Sequence, residues 1–118
     1  MSYFKHRYSF RDRLDESRRI LTQYPHRIPI ICEKARIHKN NTLPNIDKHK
    51  YLVPSDLTIG QFIYVIRTRM SINADEAIFL FVSNNILPSS TTVGYIYDMY
   101  KDTDGFLYIK YAKENVFG

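Results

Sequence analysis

An α+β fold is predicted for this chain of 118 residues, and three observations carry the prediction. Helix-period runs open on hydroxyl caps, at Ser9 and Thr58. Four apolar segments of strand length are bounded by Pro, Asn, Asp or Gly. The order is helix, strand, strand, helix, strand, helix, strand, which sets a helix across a sheet after its first two strands.

Each element has a local cause. In Ser9-Phe10-Arg11-Asp12 the hydroxyl can accept from a free backbone N–H, and Asp12 suits the positive end of a helix. Leu14, Arg18, Ile20 and Leu21 follow as a mostly apolar stripe with a charged back, and Tyr24-Pro25 ends the helix. Arg11, Arg13, Arg18 and Arg19 are expected on its solvated face. Ile28 to Cys32 is β-branched and reads as a strand running toward Ala35, with Pro29 at its beginning or on an edge. Residues 36–47 form a polar loop, and Lys48 to Val53 a second strand stopped by Pro54. Thr58 and Gln61 make a capping box for a helix burying Phe62, Val65, Ile66 and Met70.

Ile78 to Val82 is apolar without alternation, as in a strand covered on both faces. Beyond an Asn84-Asn85 turn, Val93, Ile96, Tyr97 and Tyr100 mark a short helix. Asp102 to Gly105 is a turn, Phe106 to Tyr111 the final strand, and Lys113 to Gly118 a loose tail. This order is a β-grasp arrangement, of which ubiquitin is the familiar case, preceded by an extra helix. A ferredoxin-like sandwich is its topological rival.

The length fits one domain. With 44% hydrophobic and 25% charged residues the chain is globular in composition. Ten Tyr and seven Phe, without Trp, suit half-buried surfaces. A net charge of +5 favours acidic partners without choosing among peptide, nucleic acid and lipid. The single cysteine, Cys32, lies in an apolar run and reads as an inert core thiol in a reducing compartment. No stretch approaches a membrane-spanning length, and the first residues lack the apolar core of a secretory signal, so the cytoplasm is the expected location.

Enzyme chemistry finds no support. His6, His26, His38 and His49 have no spacing that would hold a metal, no nucleophile elbow occurs, and the four glycines are scattered, so neither metal nor cofactor is expected. Gly105 to Tyr111 approximates the aromatic strand of RNA-recognition motifs. Against it, Asp104 stands where a cation is wanted, and Leu107 where Gly or Ala is wanted. No nucleic-acid partner is expected.

Two features invite a functional reading. Lys48 and Lys50 share one side of their strand, and Tyr51 and Val53 have opposite parity to Lys50 and Leu52. As a sheet edge, the strand would accept an incoming peptide strand with acidic flanks. The same lysines could equally guard the edge against aggregation. The terminal Gly118, lacking Cβ, leaves its carboxylate unhindered for activation.

Several ordered blocks resemble the autophagy modifiers of the GABARAP and light-chain-three type, across nearly the whole chain. They are Tyr24-Pro25-His26-Arg27-Ile28-Pro29-Ile30-Ile31-Cys32-Glu33-Lys34, the run from Lys48 to Phe62, Asp104-Gly105-Phe106-Leu107-Tyr108-Ile109, and the ending Phe117-Gly118. The resemblance implies a ubiquitin-like β-grasp with two additional N-terminal helices. It divides the chain into a helical extension packed on the core (1–24), the core (25–112) and a flexible tail (113–118) ending in the conjugated glycine.

It further implies conjugation of Gly118 to phosphatidylethanolamine by activating and conjugating enzymes, with a deconjugating enzyme to reverse it. The unlipidated form would be a monomer, and the lipidated pool would sit on autophagosome membranes with delivery to the vacuole or lysosome. A two-chain lipid anchor, at about 0.8 kcal/mol per buried CH₂, holds where one chain would not. Receptors would carry an aromatic-x-x-aliphatic motif.

By position, Glu16, Ile20, Pro29, Ile31, Lys50, Leu52 and Phe106 would line the aromatic pocket. Tyr51, Val53, Pro54, Leu57, Phe62 and Val65 would line the aliphatic one, and Arg27, Lys48 and Arg69 would meet acidic flanks. Single motifs are then expected at micromolar strength, about −8 kcal/mol. The loop His38 to Thr42 is longer than the family pattern, Thr68 interrupts a commonly basic run, and Ser9 stands where proline is frequent. The alternative is a ubiquitin-like adaptor that binds such peptides without being conjugated.

Overall fold

The computed structural model describes residues 2–36 and 43–113. Hydroxyl side chains start all four of its helices. Ser2 caps α1 (Tyr3–Arg7), Ser9 caps α2 (Phe10–Gln23), Thr58 caps α3 (Ile59–Arg67) and Thr92 caps α4 (Val93–Tyr100), each oxygen accepting from a first-turn N–H. At α3 the Gln61 side chain also accepts from the Thr58 N–H, completing the capping box. The two N-terminal helices implied by the resemblance are α1 and α2.

Five strands form one sheet: β1 (Arg27–Lys34), β2 (Lys50–Pro54), β3 (Phe79–Val82), β4 (Asn85–Ile86) and β5 (Leu107–Ala112). Their order is β2-β1-β5-β3-β4, with β1 and β5 parallel and the other pairs antiparallel. This is the α+β ubiquitin-like arrangement, and the ferredoxin-like rival is set aside.

One face of the sheet meets α3 and α4 in the main core. Ile30, Cys32, Phe62, Ile66, Leu107, Ile109 and Tyr111 are fully buried there. The other face carries a smaller cluster of Phe4, Ile20, Ile31 and Phe106, with Leu52 and Tyr108 at its margin, and this is where α1 and α2 lie.

Several expectations need correction. The buried face of α2 is Arg13, Ser17 and Ile20, whereas Arg11, Arg18 and Arg19 are exposed as expected. Arg13 leaves the solvated face because its Nη1 donates to Asp104 Oδ2 at 2.5 Å, and a paired cation can be buried. The β3–β4 turn is Ser83-Asn84, not Asn84-Asn85. Both residues have positive φ (49° and 66°), the requirement of a tight two-residue hairpin, so Asn85 already belongs to a strand too short to show periodicity.

Pro29 sits near the start of an interior strand, one residue before the pairing with β5 begins at Ile30, so its missing N–H leaves no gap in that ladder. Helix α3 ends at Arg67, with Met70 buried beyond it. The segment expected as a polar loop anchors Leu43 and Ile46 in the core, while its residues 37–42 lie outside the described residues.

Candidate functional site

The N–H of Cys32 donates to His49 O, and that of Ser55 to His26 O. In an antiparallel ladder bonding alternates, so residues 49, 51, 53 and 55 turn their backbone groups toward β1. Lys50 and Leu52 therefore point theirs outward. Among the described residues β2 pairs with β1 alone, so these groups form an open sheet edge. One outward acceptor is capped: Arg27 Nη1 donates to Leu52 O at 3.0 Å.

Alternation also splits the side chains. Lys50 and Leu52 lie on the α1/α2 face, opposite Ile31 and Pro29 respectively. Leu52 packs against the cluster holding Ile20, Ile31 and Phe106, and the Lys50 ammonium is ion-paired with Glu16 of α2. All seven residues assigned to an aromatic pocket are thus neighbours. Ile31 and Phe106, however, are fully buried, beneath Phe4 of α1.

Tyr51 and Val53 face the main core. Tyr51 packs edge-to-face on Phe62, with ring centroids 5.4 Å apart and planes at 89°. Burial pushes its hydroxyl up to about 12. Tyr51, Val53 and Phe62 are buried core residues, so the accessible part of the second region is Pro54 with Leu57 and Val65.

The three cations assigned to acidic flanks lie close to this edge or to residues beside it. Arg27 caps the edge as above, Lys48 Nζ lies 5.1 Å over the Tyr51 ring, and Arg69 pairs with Asp47 at 3.5 Å. Gly118 lies outside the described residues, as do His38 and the tail beyond Lys113.

Phe106 is fully buried and Tyr108 packs against Phe4, so the aromatic strand does not offer an open stacking platform. Cys32 is free and fully buried, and burial pushes its thiol up, away from nucleophilic use. His6, His26 and His49 are exposed, and no group of three or more potential metal-ligating side chains occurs among the described residues. No helix of the described residues is long and apolar enough to cross a membrane. A cleft of about 480 Å³ lies away from β2, beside Lys5, Arg36, Ser83 and Asp102.

A polar latch that no local pattern announces holds α1. The Phe4 N–H donates to Glu33 Oε2 at 2.9 Å, Ser2 also bonds that carboxylate, and Lys5 Nζ meets Asp102 Oδ1 at 2.5 Å. Burial raises both carboxyls, but at Glu33 the Ser2, Phe4 and Lys110 contacts outweigh it. At Asp102 the Lys5 contact, the Asp104 N–H and nearby Arg13 do the same.

Both carboxyls therefore lie below their ordinary 4.5 and 3.8. A depressed folded value stabilises above the unfolded value and is lost as pH falls through the folded one. Docking of α1 should be complete at neutral pH and weaken only below about pH 4. Amide exchange at residues 3–7, followed from pH 6 to pH 3 and corrected for intrinsic rates, should show protection falling before that of β1. Equal loss in both would overturn this order.

The fold and its open edge define a ubiquitin-like β-grasp protein with an N-terminal helical extension. Residues 12–118 match the family described as "Autophagy protein Atg8 ubiquitin like". The chain is 52% identical over 117 residues to Autophagy-related protein 8e of Arabidopsis thaliana, covering 99% of this chain and 93% of that one. It is 48% identical over 118 residues to Autophagy-related protein 8 of Eremothecium gossypii, covering 100% and 96%. The crystal structure of Trypanosoma brucei ATG8 superposes with a TM-score of 0.90 at 42% identity, covering 100% of this chain and 99% of that one. The chain belongs to the Atg8 family of ubiquitin-like autophagy proteins.

Proposed function

We propose that this protein is joined through Gly118 to phosphatidylethanolamine, and that on the membrane its β2 edge receives aromatic-x-x-aliphatic peptides. The observation that carries the peptide half is the edge itself. Residues three apart in an extended peptide point to opposite faces, about 10 Å apart along the strand. The β2 edge has Leu52 and Lys50 on one face and the Leu57–Val65 region on the other, with outward backbone groups between them. A peptide strand added there would send its aromatic residue to one face and its aliphatic residue to the other. Acidic residues flanking the motif would draw on Arg27, Lys48 and Arg69, weakening as salt rises.

The lipid half rests on family membership and on Gly118. ATP would convert the carboxylate to an adenylate with release of pyrophosphate, and an enzyme cysteine would displace AMP to form a thioester. The lipid amine would then displace the thiol to leave an amide. The protein supplies no catalytic group and acts as the substrate of its activating and conjugating enzymes. Its membrane-bound pool would be found on autophagosomes.

Reconstitution with those enzymes, ATP and phosphatidylethanolamine vesicles tests both halves. The parent chain should acquire the lipid and Gly118→Ala should not, while Leu52→Ala should conjugate normally but lose most of its peptide affinity. Equal conjugation of parent and Gly118→Ala would end the lipid proposal. Peptide binding without any conjugate would leave a docking adaptor alone.

A further inference from the structure

At the end of the sheet where β1 and β5 finish, a cleft of about 350 Å³ opens beside the start of α1 and the chain leading into β2. Its lining holds three cations, Lys34, Arg36 and Lys110, against one carboxylate, Glu33. The Tyr3 hydroxyl and the Asn45 amide add hydrogen-bond donors, and His49 stands at the rim with Nδ1 3.2 Å from Cys32 O. No aliphatic residue contributes, so the cleft suits a polar ligand.

The one acid is already engaged. Glu33 is 6% exposed, with Oε2 accepting from the Phe4 N–H at 2.9 Å and Oε1 from Lys110 Nζ at 3.3 Å. Burial alone would raise its carboxyl, but Ser2, Phe4 and Lys110 outweigh burial and keep it ionised at neutral pH. Lys34 and Arg36 have no ion-pair partner among the described residues. Three cations less one carboxylate leaves a surplus of two positive charges around one small volume. The parallel ladder fixes their spacing, with Lys110 opposite Glu33 and Lys34 opposite Tyr111.

We propose that this cleft binds a polyphosphorylated group, with Arg36 clamping one phosphate and Lys34 and Lys110 meeting others. A planar guanidinium can take two oxygens of one phosphate at once, whereas an ammonium acts as a compact point charge. A single monoanion would leave part of the surplus uncompensated, and the volume falls in the range of small-ligand sites. Clustered phosphates occur on soluble sugars and on lipid headgroups, and the chemistry that recognises them is shared. None of the lining residues belongs to the proposed peptide pockets, so the site goes beyond that reading and depends on neither peptide nor conjugation.

The test titrates the unlipidated full chain with inositol hexakisphosphate, calorimetrically, at neutral pH and near-physiological salt. The parent should bind, and Arg36→Ala should weaken binding by about tenfold, as when a charge-assisted pair is lost. Arg36→Lys should recover only part of that loss, because the fork is gone. Lys34→Ala should weaken binding by a smaller factor. Arg19→Ala removes an exposed cation of α2 outside the cleft and should leave affinity unchanged. Arg36 is exposed, so thermal midpoints of its variants should match the parent. Amide shifts on titration should move at Lys34, Arg36 and Asn45 and stay fixed at Leu52.

Phosphatidylcholine vesicles with and without phosphatidylinositol bisphosphate separate the two sources. Cosedimentation that Arg36→Ala abolishes shows that headgroups enter this cleft, and binding of the free compound alone assigns it to a soluble ligand. No binding of either probe by the parent overturns the proposal. So does equal weakening by Arg36→Ala and Arg19→Ala, which would reduce the effect to the general basicity of a chain with net charge +5. Neither Gly118 nor the β2 edge enters the measurement, so both of those results leave conjugation and peptide docking standing.

Discussion

Replacing Asp104 by alanine is expected to destabilise the protein by about 3–5 kcal/mol, as when one partner of a buried ion pair is removed. Asp104 is 0% exposed and its carboxylate is fully engaged. Oδ2 accepts from Arg13 Nη1 and the Tyr108 hydroxyl, each at 2.5 Å, and Oδ1 accepts from the Phe106 N–H at 2.9 Å. Alanine would leave the Arg13 guanidinium, on a residue only 9% exposed, without its counter-charge. The Tyr108 hydroxyl, pushed up by burial and by donating to Asp104, would lose its acceptor.

Differential scanning calorimetry should show the midpoint falling by on the order of 10–20 °C. Arg13→Met together with Asp104→Leu should recover much of the loss, because an apolar pair needs no compensation. A drop confined to a few tenths of a kcal/mol would mean that Arg13 finds water instead.

Phe62→Ala should cost a similar about 3–5 kcal/mol, for a different reason. Phe62 is fully buried and its ring supports Tyr51, which lies on β2 between the two candidate peptide faces. Truncation removes the apolar area and leaves a void that α3 and β2 cannot fill without shifting. Phe62→Leu keeps most of the volume and should cost less than half as much. Chemical denaturation of the two variants gives the comparison. Peptide affinity measured where both are still folded then tells whether Phe62 reaches the ligand or acts through Tyr51.

Much of this architecture is written locally. The hydroxyls of Ser9 and Thr58, the Tyr24-Pro25 stop and the β-branched run from Ile28 place helices and strands within a residue or two. The β2 segment was recognisable from its parity, but its position at the sheet margin depends on a pairing order that no local pattern encodes. Arg13 could not be read as buried, because its partner lies 91 positions away. Phe4 was hidden for the same reason: the groups that hold it, Glu33, Asp102 and Phe106, are distant in sequence. The two-residue strand β4 is too short for any period. Ordered blocks shared with a family supplied the candidate pockets, whereas packing shows which of those residues are core.

The strand that comes last in chain order, β5, occupies the middle of the sheet, with β1 on one side and β3 on the other. A nascent chain therefore cannot close its sheet until Ala112 has cleared the ribosome, and assembly has to wait for the whole domain to be synthesised. The same placement would govern mechanics if the chain is moored at Gly118 as proposed. Tension transmitted from the bilayer would then enter along β5 and be shared as shear by two flanking ladders, so the anchor would pull on an interior strand and not on an edge.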